Sequence, residues 1–331
     1  MEGFFLKTAK KLSPILLLLS LLIGPSASRG LAAEPIKISY SAISWLMSPV
    51  WMAEELGLFK KHELDAQLIY IASSATSVQA LLGGSVQVIT PGSSGVVIAA
   101  ARGVPVVAVA ASTRRAPFAL FTHPEVTKPE ELKGKVMGVT RFNSTTHMLT
   151  VLILRKLGLE NYVSVRQMGD VPSMHRAFEQ KIIAGMVSSY GPQASHRALT
   201  DAVKLEIPYA GSMMTVTQSF LRYKRDTVEH VLRAYVEGMA VFLKEKTVAK
   251  KVLAKYIRRD QPAFLEETYE TASTYLEAIP RVDPRIVPAI LGFAEMKDVD
   301  VGDLTARVID NSVLDKLQWE KFFEHVFPKT K

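Results

Sequence analysis

The sequence predicts an α/β protein, and three features of the 331-residue chain support this fold class. Residues 36–111 alternate short apolar runs with amphipathic segments, a pattern typical of parallel strands connected by helices. The same alternation starts again after Arg114 and Arg115 and continues to residue 188. Beyond about Met213 the apolar residues recur at helical spacing, which predicts a mainly helical C-terminal third.

The first 33 residues have the features of a secretory signal peptide. Three lysines precede an apolar run over residues 15–23, which is shorter than the roughly 20 residues of a membrane span. Small residues follow, and cleavage is expected after Ala33, with cleavage after Ser28 as the alternative. An N-terminal anchor helix is the other interpretation of this segment.

The first α/β unit has well-marked helix boundaries. Ser48 can cap a helix, Pro49 suits the first helical position and Gly57 can end that helix. Gly83 ends the second predicted helix and Gly103 the third. The predicted strands are residues 36–40, 66–71, 86–90 and 104–111, and the second and third helices are residues 74–82 and 94–102.

The second unit repeats this plan, and helices follow it. Its predicted strands are residues 118–122, 135–139, 163–168 and 183–188, and its helices are residues 146–157 and 173–180. Helical patterns then run through Ile279, and a last amphipathic helix is predicted over residues 312–323. The tail at residues 329–331 is predicted to fray.

Composition narrows the function classes. The chain is 48% hydrophobic and 22% charged, which is typical of a globular protein rather than a disordered one. Loss of the signal peptide removes four basic residues and one acid, so the net charge falls from +8 to +5. Because basic residues are interspersed with acids, we expect no nucleic-acid partner. We also expect the protein to be a monomer.

The sequence contains no cysteine. An exported chain without cysteine forms no disulfide, and it also lacks the lipid-attachment cysteine of a bacterial surface lipoprotein. We therefore expect a mature protein free in the periplasm.

Four sequence blocks resemble the substrate-binding components of ABC importers. They are residues 49–62 (PVWMAEELGLFKKH), 79–84 (QALLGG), 102–106 (RGVPV) and 129–139 (PEELKGKVMGV). In order and spacing they are similar to the nitrate/sulfonate/taurine-binding and thiamine-pyrimidine-precursor-binding proteins. The resemblance covers most of residues 36–260.

This resemblance implies a two-lobed periplasmic-binding-protein fold of type II with discontinuous lobes. Residues 34–113 form the first part of lobe 1, residues 114–213 form lobe 2, and residues 214–331 return to lobe 1 and add C-terminal helices. Two crossings between the lobes make a hinge, and the ligand occupies the cleft. The implied function is capture of a small anionic or heteroaromatic organic solute for delivery to an ABC permease and its ATPase.

Two departures from the family pattern affect how far this resemblance extends. Gln87 and Ala184 occupy positions where the family often has an aspartate, so ligand chemistry is not transferred from the family. Glu63 replaces a usual glycine, which we interpret as an adjusted surface turn.

The candidate ligand-binding residues lie in four polar loops that follow predicted strands. The helix that starts after each loop presents free backbone N–H groups and a partial positive charge, which favour anions. Hydroxyls there can donate to ligand oxygens, and an aromatic side chain can cover an apolar part. The candidates are Ser44, Trp45, Ser73, Ser74, Thr76, Gly92, Ser93, Ser94, Arg141, Asn143, Ser144, Thr145 and Tyr190.

Each candidate has a structural alternative. The hydroxyl residues can simply cap helices. Arg141 can grip a carboxylate, sulfonate or phosphate in bidentate fashion, or it can be an ordinary exposed loop residue. Tyr190 either closes the cleft or packs as a core or hinge aromatic. Asp170 is interpreted as a helix cap rather than a ligand to an amine, and His147 as a packing residue in the first turn of its helix.

Two other functions remain as alternatives. Pyrimidine-precursor synthases and some menaquinone-pathway enzymes share the implied fold, but the synthases rely on a cysteine-rich metal motif that this sequence does not contain. We predict no catalytic residue, metal or cofactor. A periplasmic sensor that binds a ligand without feeding a transporter is the other alternative, whereas a DNA-binding regulator is excluded because strand one follows the signal directly.

Overall fold

Two five-stranded sheets and fourteen α-helices make up the part of the chain that the structure describes. A computed structural model describes residues 33–189 and 197–328. Residues 1–32 of the predicted signal peptide, Tyr190 and the tail at residues 329–331 lie outside the described residues. The strands are β1 (Glu34–Tyr40), β2 (Leu64–Tyr70), β3 (Val88–Thr90), β4 (Val106–Arg115), β5 (Ala119–Thr122), β6 (Val136–Val139), β7 (Ser164–Gln167), β8 (Gly185–Ser188), β9 (Arg197–Asp201) and β10 (Pro208–Thr217).

Helices follow most of the parallel strands and then fill the C-terminal part. They are α1 (Ser48–Glu55), α2 (Leu58–Lys61), α3 (Ser74–Leu82), α4 (Ser93–Ala101), α5 (Thr145–Lys156), α6 (Val171–Glu179), α7 (Gln218–Tyr223), α8 (Arg225–Lys244), α9 (Lys246–Ile257), α10 (Pro262–Tyr275), α11 (Ile286–Phe293), α12 (Val301–Val308), α13 (Ser312–Trp319) and α14 (Phe322–Val326).

Each sheet is parallel at one side and antiparallel at the other. The first sheet has the order β2-β1-β3-β10-β4 and the second the order β7-β6-β8-β5-β9. In the first sheet β1 runs parallel to β2 and β3, and Tyr40 is in register with Tyr70 and with Thr90. The carboxyl ends of these strands therefore meet at one edge, which is where ligands bind in open α/β sheets.

The α/β class and the two α/β units are confirmed, but β9 and β10 were not predicted. Eight consecutive residues of β10 are buried, and the strand pairs antiparallel with β3 and β4. Sheet structure therefore continues to Thr217, and helices begin at Gln218 rather than near Met213. A continuous apolar run does not distinguish a buried strand from a buried helix.

Two helix predictions need correction. Ser48 is the first residue of α1 and does not cap it, whereas Ser44 caps a 3-10 turn over residues 45–47 by accepting the Leu46 N–H. The helix predicted over residues 312–323 is two helices, because Lys321 adopts a left-handed backbone with φ 58°. Glu63, the surface turn residue, is also left-handed, with φ 60°.

Helix α8 is the main helical support of the first sheet. It packs against α1 so closely that a Cβ added at Gly238 would lie 2.6 Å from the Pro49 carbonyl oxygen. Twelve of its twenty residues are buried, among them Tyr235 and Phe242. This packing holds the start of α1, and hence the loop that follows β1, in a fixed position.

The chain passes from the first sheet to the second between β4 and β5, and it returns between β9 and β10. The domain boundaries predicted at residues 113/114 and 213/214 stay a prediction. Within residues 33–189 and 197–328, no helix is both long and apolar enough to span a membrane.

Candidate functional site

A cavity of about 60 Å³, here called the inner cavity, lies where loops from the two sheets meet. The first sheet contributes the loops that follow β1, β2 and β3, and the second contributes those after β6, β7 and β8. One residue from each loop, in that order, is Ser41, Ser73, Gly92, Thr140, Gly169 and Ser189. The inner cavity is thus built from the carboxyl ends of parallel strands on both sides.

Four helices begin at the inner cavity. Ser74 starts α3, while Gly92, Ser144 and Asp170 are the N-cap residues of α4, α5 and α6. The first turn of a helix has N–H groups without an intrahelical partner, and its end carries a partial positive charge. The convergence of four such ends favours a ligand with negatively charged or carbonyl oxygens.

A triangle of hydroxyls organises the second-sheet side. Thr140 Oγ1 lies 2.9 Å from both Ser144 Oγ and Thr146 Oγ1, and the last two oxygens are 3.0 Å apart. The Thr140 N–H also donates to Thr146 Oγ1 at 2.9 Å. These side chains hold one another, so the loop after β6 is set before a ligand arrives.

Three other hydroxyls near the cavity are buried and have no hydrogen-bond partner among the described residues. They belong to Ser73, Ser93 and Thr145, of which Ser73 and Thr145 line the cavity. A buried unpaired hydroxyl costs about 1–3 kcal/mol. Ser73 also has φ 80° and ψ 138°, a conformation that favours glycine. A ligand that pairs with these oxygens would offset part of this cost.

An apolar wall completes the inner cavity. Phe118 and Tyr209 meet edge to face with ring centroids 5.5 Å apart, and Met47 and Met174 lie beside them. Burial raises the pKa of the Tyr209 phenol, so it stays protonated and can donate a hydrogen bond. Among the described lining residues Asp170 alone carries a charge.

Contacts across the cleft show that the structure is closed. Ser44 Oγ lies 2.9 Å from Ser189 Oγ, and the Trp45 indole N–H donates to the Ser189 carbonyl at 2.8 Å. The Ser94 hydroxyl donates to the Asn143 carbonyl at 3.0 Å. A Cβ added at Gly92 would overlap the Thr145 hydroxyl, so the two sides meet without space for a further methyl group.

The predicted site residues fall into three groups. Six line the inner cavity: Ser44, Ser73, Ser74, Gly92, Ser144 and Thr145. Four lie next to it without lining it: buried Trp45, Ser93 and Ser94, and exposed Asn143. Thr76 and Arg141 are exposed and do not line it, and Tyr190 lies outside the described residues.

The structural interpretations of Asp170 and His147 are confirmed. The Asp170 carboxylate accepts the Ser173 N–H at 2.8 Å and caps α6. The His147 ring packs edge to face against Phe142 and Phe293, and burial lowers its pKa. Both residues are therefore explained by helix geometry and packing.

Sequence reasoning missed part of the inner cavity. Tyr209 and Ser212 lie on β10, one of the two strands that the sequence did not predict. Ser188 is the last residue of β8 and Ser189 follows it, so the rule that ligands meet the carboxyl ends of strands could have identified both. Phe118 had no comparable signal, because one apolar residue before a short strand does not indicate a cleft.

A larger cavity of about 740 Å³, the outer cavity, lies beside the inner one and shares Asp170 and Val171 with it. The boundary includes a hydrogen-bonded pair: His175 lines the outer cavity, and its Nε2 lies 2.9 Å from the Ser188 Oγ of the inner cavity. Three tyrosines and several basic residues line the outer cavity.

The fold is that of the periplasmic binding proteins. The chain belongs to the NMT1/THI5-like family, which matches residues 46–248. The family resemblance expected from the four sequence blocks is thereby confirmed. A sequence comparison with curated proteins gives no match.

Solved structures show the same fold at low sequence identity. A protein from Bordetella bronchiseptica RB50 is 19% identical, with a TM-score of 0.75 over 87% of this chain and 98% of its own. The periplasmic aliphatic sulphonate binding protein SsuA from Escherichia coli is 18% identical, with a TM-score of 0.66 over 82% of this chain and 96% of its own. The desulfurization enzyme DSZB is 12% identical, with a TM-score of 0.58 over 86% and 99%. The fold thus carries both binding and catalysis.

Proposed function

We propose that this protein is the periplasmic solute-binding component of an ABC importer, and that it captures a small organic solute in the cleft between its two sheets. The observation that carries the proposal is the closed inner cavity, built from loops of both sheets and bridged by hydrogen bonds such as that from Trp45 to Ser189. A ligand that contacts both sides stabilises the closed form, and a transporter can recognise that form.

The chemistry of the inner cavity supports an oxyanion or carbonyl-bearing ligand. Four helix N-termini and the buried hydroxyls of Ser73 and Thr145 are donors for such a group. No lysine or arginine is among the described lining residues, so recognition would rest on N–H and O–H donors. The sulphonate-binding protein from Escherichia coli supports the same class of ligand through its shared fold.

Binding without catalysis is part of the proposal. DSZB shows that the fold can hold an enzyme, and the Ser188–His175 hydrogen bond places a hydroxyl beside an imidazole at the cavity. The family match and the sulphonate-binding neighbour favour the binding role. Recovery of a bound solute chemically unchanged after long incubation supports binding, whereas a converted product contradicts it.

Ligand-induced stabilisation is the direct test. The chain is expressed with its own N-terminus in a Gram-negative host, purified from the periplasmic fraction and stripped of ligand by unfolding and refolding. Its melting temperature is then measured with alkanesulfonates, nitrate, aminopyrimidines and aromatic acids. A ligand at 100 times its dissociation constant stabilises the native state by about 2.7 kcal/mol. The N-terminal mass of the same sample distinguishes cleavage after Ala33 from cleavage after Ser28.

A matched pair of threonine variants locates the site. Both Thr145 and Thr150 belong to α5 and have buried hydroxyls that no described residue pairs with, but Thr145 alone of the two lines the inner cavity. We expect Thr145→Val to weaken binding of the best ligand about fivefold or more, because one donor is lost. Thr150→Val removes the equivalent hydroxyl oxygen at another position of the same helix and should leave the affinity for the ligand unchanged. Equal affinities of the two variants would place the ligand elsewhere.

Uptake of the ligand into membrane vesicles tests the importer role separately from binding. Membrane vesicles that contain the permease and ATPase of the cognate importer should take up the ligand only when the protein is added. A protein that binds the ligand without supporting uptake would instead be a sensor.

A further inference from the structure

The outer cavity is large enough to hold most of a small organic molecule, and the proposed solute-binding function does not yet use it. Its volume of about 740 Å³ compares with about 60 Å³ for the inner cavity. Ligand pockets in proteins typically measure about 300–1,000 Å³. In the closed structure, the inner cavity therefore accommodates only a small group of a ligand, and a bulkier part needs the outer cavity.

One wall of the outer cavity is aromatic. Tyr40 and Tyr70 are register partners at the ends of β1 and β2, with ring centroids 5.4 Å apart. Tyr256, at the end of α9, lies 6.3 Å from Tyr40 and stacks on buried Trp51 at 4.8 Å and 11°. Such a wall offers both ring faces and ring edges to a planar ligand.

The tyrosines on this wall are hydrogen-bond donors at neutral pH. Burial raises the pKa of Tyr70 to about 12, with Asp170 acting in the same direction and Arg141 against it. Burial also raises the pKa of Tyr40 and of Tyr256. The Tyr256 hydroxyl donates to Glu55 Oε1 at 2.9 Å. All three rings thus stay neutral and present no negative charge to a ligand.

The basic residues of the outer cavity differ in whether a carboxylate already balances them. Lys255 donates to both oxygens of Glu55 at 2.7 Å, and Arg259 lies 3.7 Å from Glu179. The Arg258 side chain makes no hydrogen bond or ion pair among the described residues, although it lines the cavity beside Tyr256. An arginine in this position is a ready partner for an anion.

The carboxylates that face the outer cavity are already engaged. Asp170 accepts the Ser173 N–H at the start of α6, and Glu179 faces Arg259 across the cleft. Arg176 lines the cavity and donates to the Ser173 hydroxyl at 2.8 Å, and it pairs with no carboxylate in the described part of the chain. The balance of unengaged charge in the outer cavity is therefore positive, which favours an anion over an amine.

We propose that the outer cavity binds an aromatic acid, with its ring against Tyr40, Tyr70 and Tyr256 and its carboxylate or sulfonate on Arg258. This inference rests on the proposed solute-binding function and specifies the ligand class. Asp170 and Val171 line both cavities, so the bound acid would lie directly beside the inner cavity.

Isothermal titration calorimetry with three probes tests this assignment on the refolded, ligand-free protein. Benzenesulfonate has the ring and the charge, methanesulfonate has the charge alone, and benzamide has the ring alone. We expect benzenesulfonate to bind most tightly. Arg258→Gln should weaken its binding about tenfold without affecting benzamide, because an ionic hydrogen bond is lost. Tyr70→Leu should weaken both ring-bearing probes.

Helix α7, which does not line the outer cavity, supplies matched controls. Tyr223 and Arg222 are exposed neighbours there, so Tyr223→Leu and Arg222→Gln repeat the same chemical changes outside the site. Neither should alter the affinity for any probe. Arg258→Gln keeps the test informative even where Tyr70→Leu lowers the melting temperature, because Arg258 is exposed.

The outcomes separate this inference from the proposed function. Loss of benzenesulfonate affinity in Arg258→Gln and Tyr70→Leu, but not in the α7 controls, supports the aromatic-acid site. The inference is overturned where the wild type does not bind benzenesulfonate, or where Arg258→Gln binds it as tightly as Arg222→Gln does. A third outcome is that the protein binds methanesulfonate, that Thr145→Val abolishes this binding and that Arg258→Gln preserves it. This outcome would support the solute-binding function and contradict the aromatic-acid site.

Discussion

Gly92 and Trp45 determine how closely the two sides of the cleft approach. Gly92 caps α4, and its Cα faces the Thr145 side chain of α5 without room for a methyl group. Trp45 is fully buried and ties the loop after β1 to the Ser189 carbonyl. Trp45 thus serves as a closure contact in this structure, whereas the sequence suggested a ligand cover. Its interaction with a ligand stays a prediction.

Substitution of Gly92 should hold the cleft open. In Gly92→Ala the new methyl group collides with the Thr145 hydroxyl, and an over-packed contact typically costs about 1–3 kcal/mol. Because the collision exists only in the closed form, we expect affinity for the solute to fall at least about tenfold while the melting temperature of the free protein changes little.

Gly292 provides the control for this substitution. It lies in α11, and a Cβ added there would meet no atom within 4 Å. Gly292→Ala should therefore bind the solute like the wild type. Restored closure of the Gly92→Ala, Thr145→Ala double variant in small-angle scattering would confirm the collision, and normal closure of Gly92→Ala alone would contradict it.

A network of charged side chains fastens α8 to α13. Glu229 on α8 is almost fully buried, accepts from Arg233 at 2.7 Å and accepts from Lys316 of α13 at 2.6 Å. Burial would raise the pKa of Glu229, but the hydrogen bonds from Lys316 and Arg233 outweigh it, so its pKa lies below the ordinary value. Arg233 also pairs with Glu320, just after α13.

The Glu229 network should make stability depend on acid pH. Because the folded-state pKa is depressed, the carboxylate stabilises the fold above its unfolded pKa of about 4.3, and this contribution is lost as pH falls through the folded value. Glu229→Gln should cost about 2 kcal/mol at pH 7, between the values typical of exposed and buried ion pairs, and almost nothing in strong acid.

Denaturant unfolding between pH 3 and pH 7 measures this difference. Glu270→Gln is the matched control, since Glu270 is exposed and pairs with Lys246 at the surface. Its effect should stay within about 0.5 kcal/mol at every pH. A wild-type minus Glu229→Gln difference that does not change with pH would contradict the assigned role of Glu229.

Local sequence signals predicted helices and strands well where a glycine or proline marks their boundaries. They predicted poorly a strand that forms only by pairing with residues far away in the chain. Gly57 and Gly103 correctly ended helices, since both adopt the left-handed backbone that glycine favours. Strand β10 was missed because its partners β3 and β4 are more than 90 residues earlier in the chain. The same limit hid the outer cavity: Tyr40, Tyr70 and Arg258 meet only through the fold, and no sequence spacing links them.

At the scale of the whole molecule, the cleft closes through contacts between segments far apart in the chain. Ser44 and Ser189 are 145 residues apart, and their hydroxyl oxygens lie 2.9 Å from each other. The predicted cleft residues Ser74, Gly92 and Thr145 converge on one cavity, as the strand-end rule suggests, whereas Arg141 lies on the exposed loop after β6. A residue's loop was therefore predictable, but not the direction of its side chain.

A disulfide across the cleft should lock the closed form. The chain has no native cysteine, so Ser44→Cys combined with Ser189→Cys gives a single defined pair. We expect the oxidised variant to exchange solute at least about tenfold more slowly than the same protein after reduction, because entry and exit need opening.

Stopped-flow binding with and without reductant measures this exchange. Each single-cysteine variant is the control and should respond to neither condition. Unaltered exchange in a fully oxidised double variant would show that solute enters the inner cavity without separation of Ser44 and Ser189.

The connection of β10 has a consequence for the order of folding. All five strands of the second sheet come from the continuous segment 119–201, whereas the first sheet is complete only when Pro208–Thr217 inserts between β3 and β4. Closing that long loop carries an entropy cost that short-range pairing avoids. The second sheet should therefore acquire protection from hydrogen exchange first. While the chain is being synthesised or translocated, the amino-terminal strands cannot complete their sheet until more than two hundred residues have emerged.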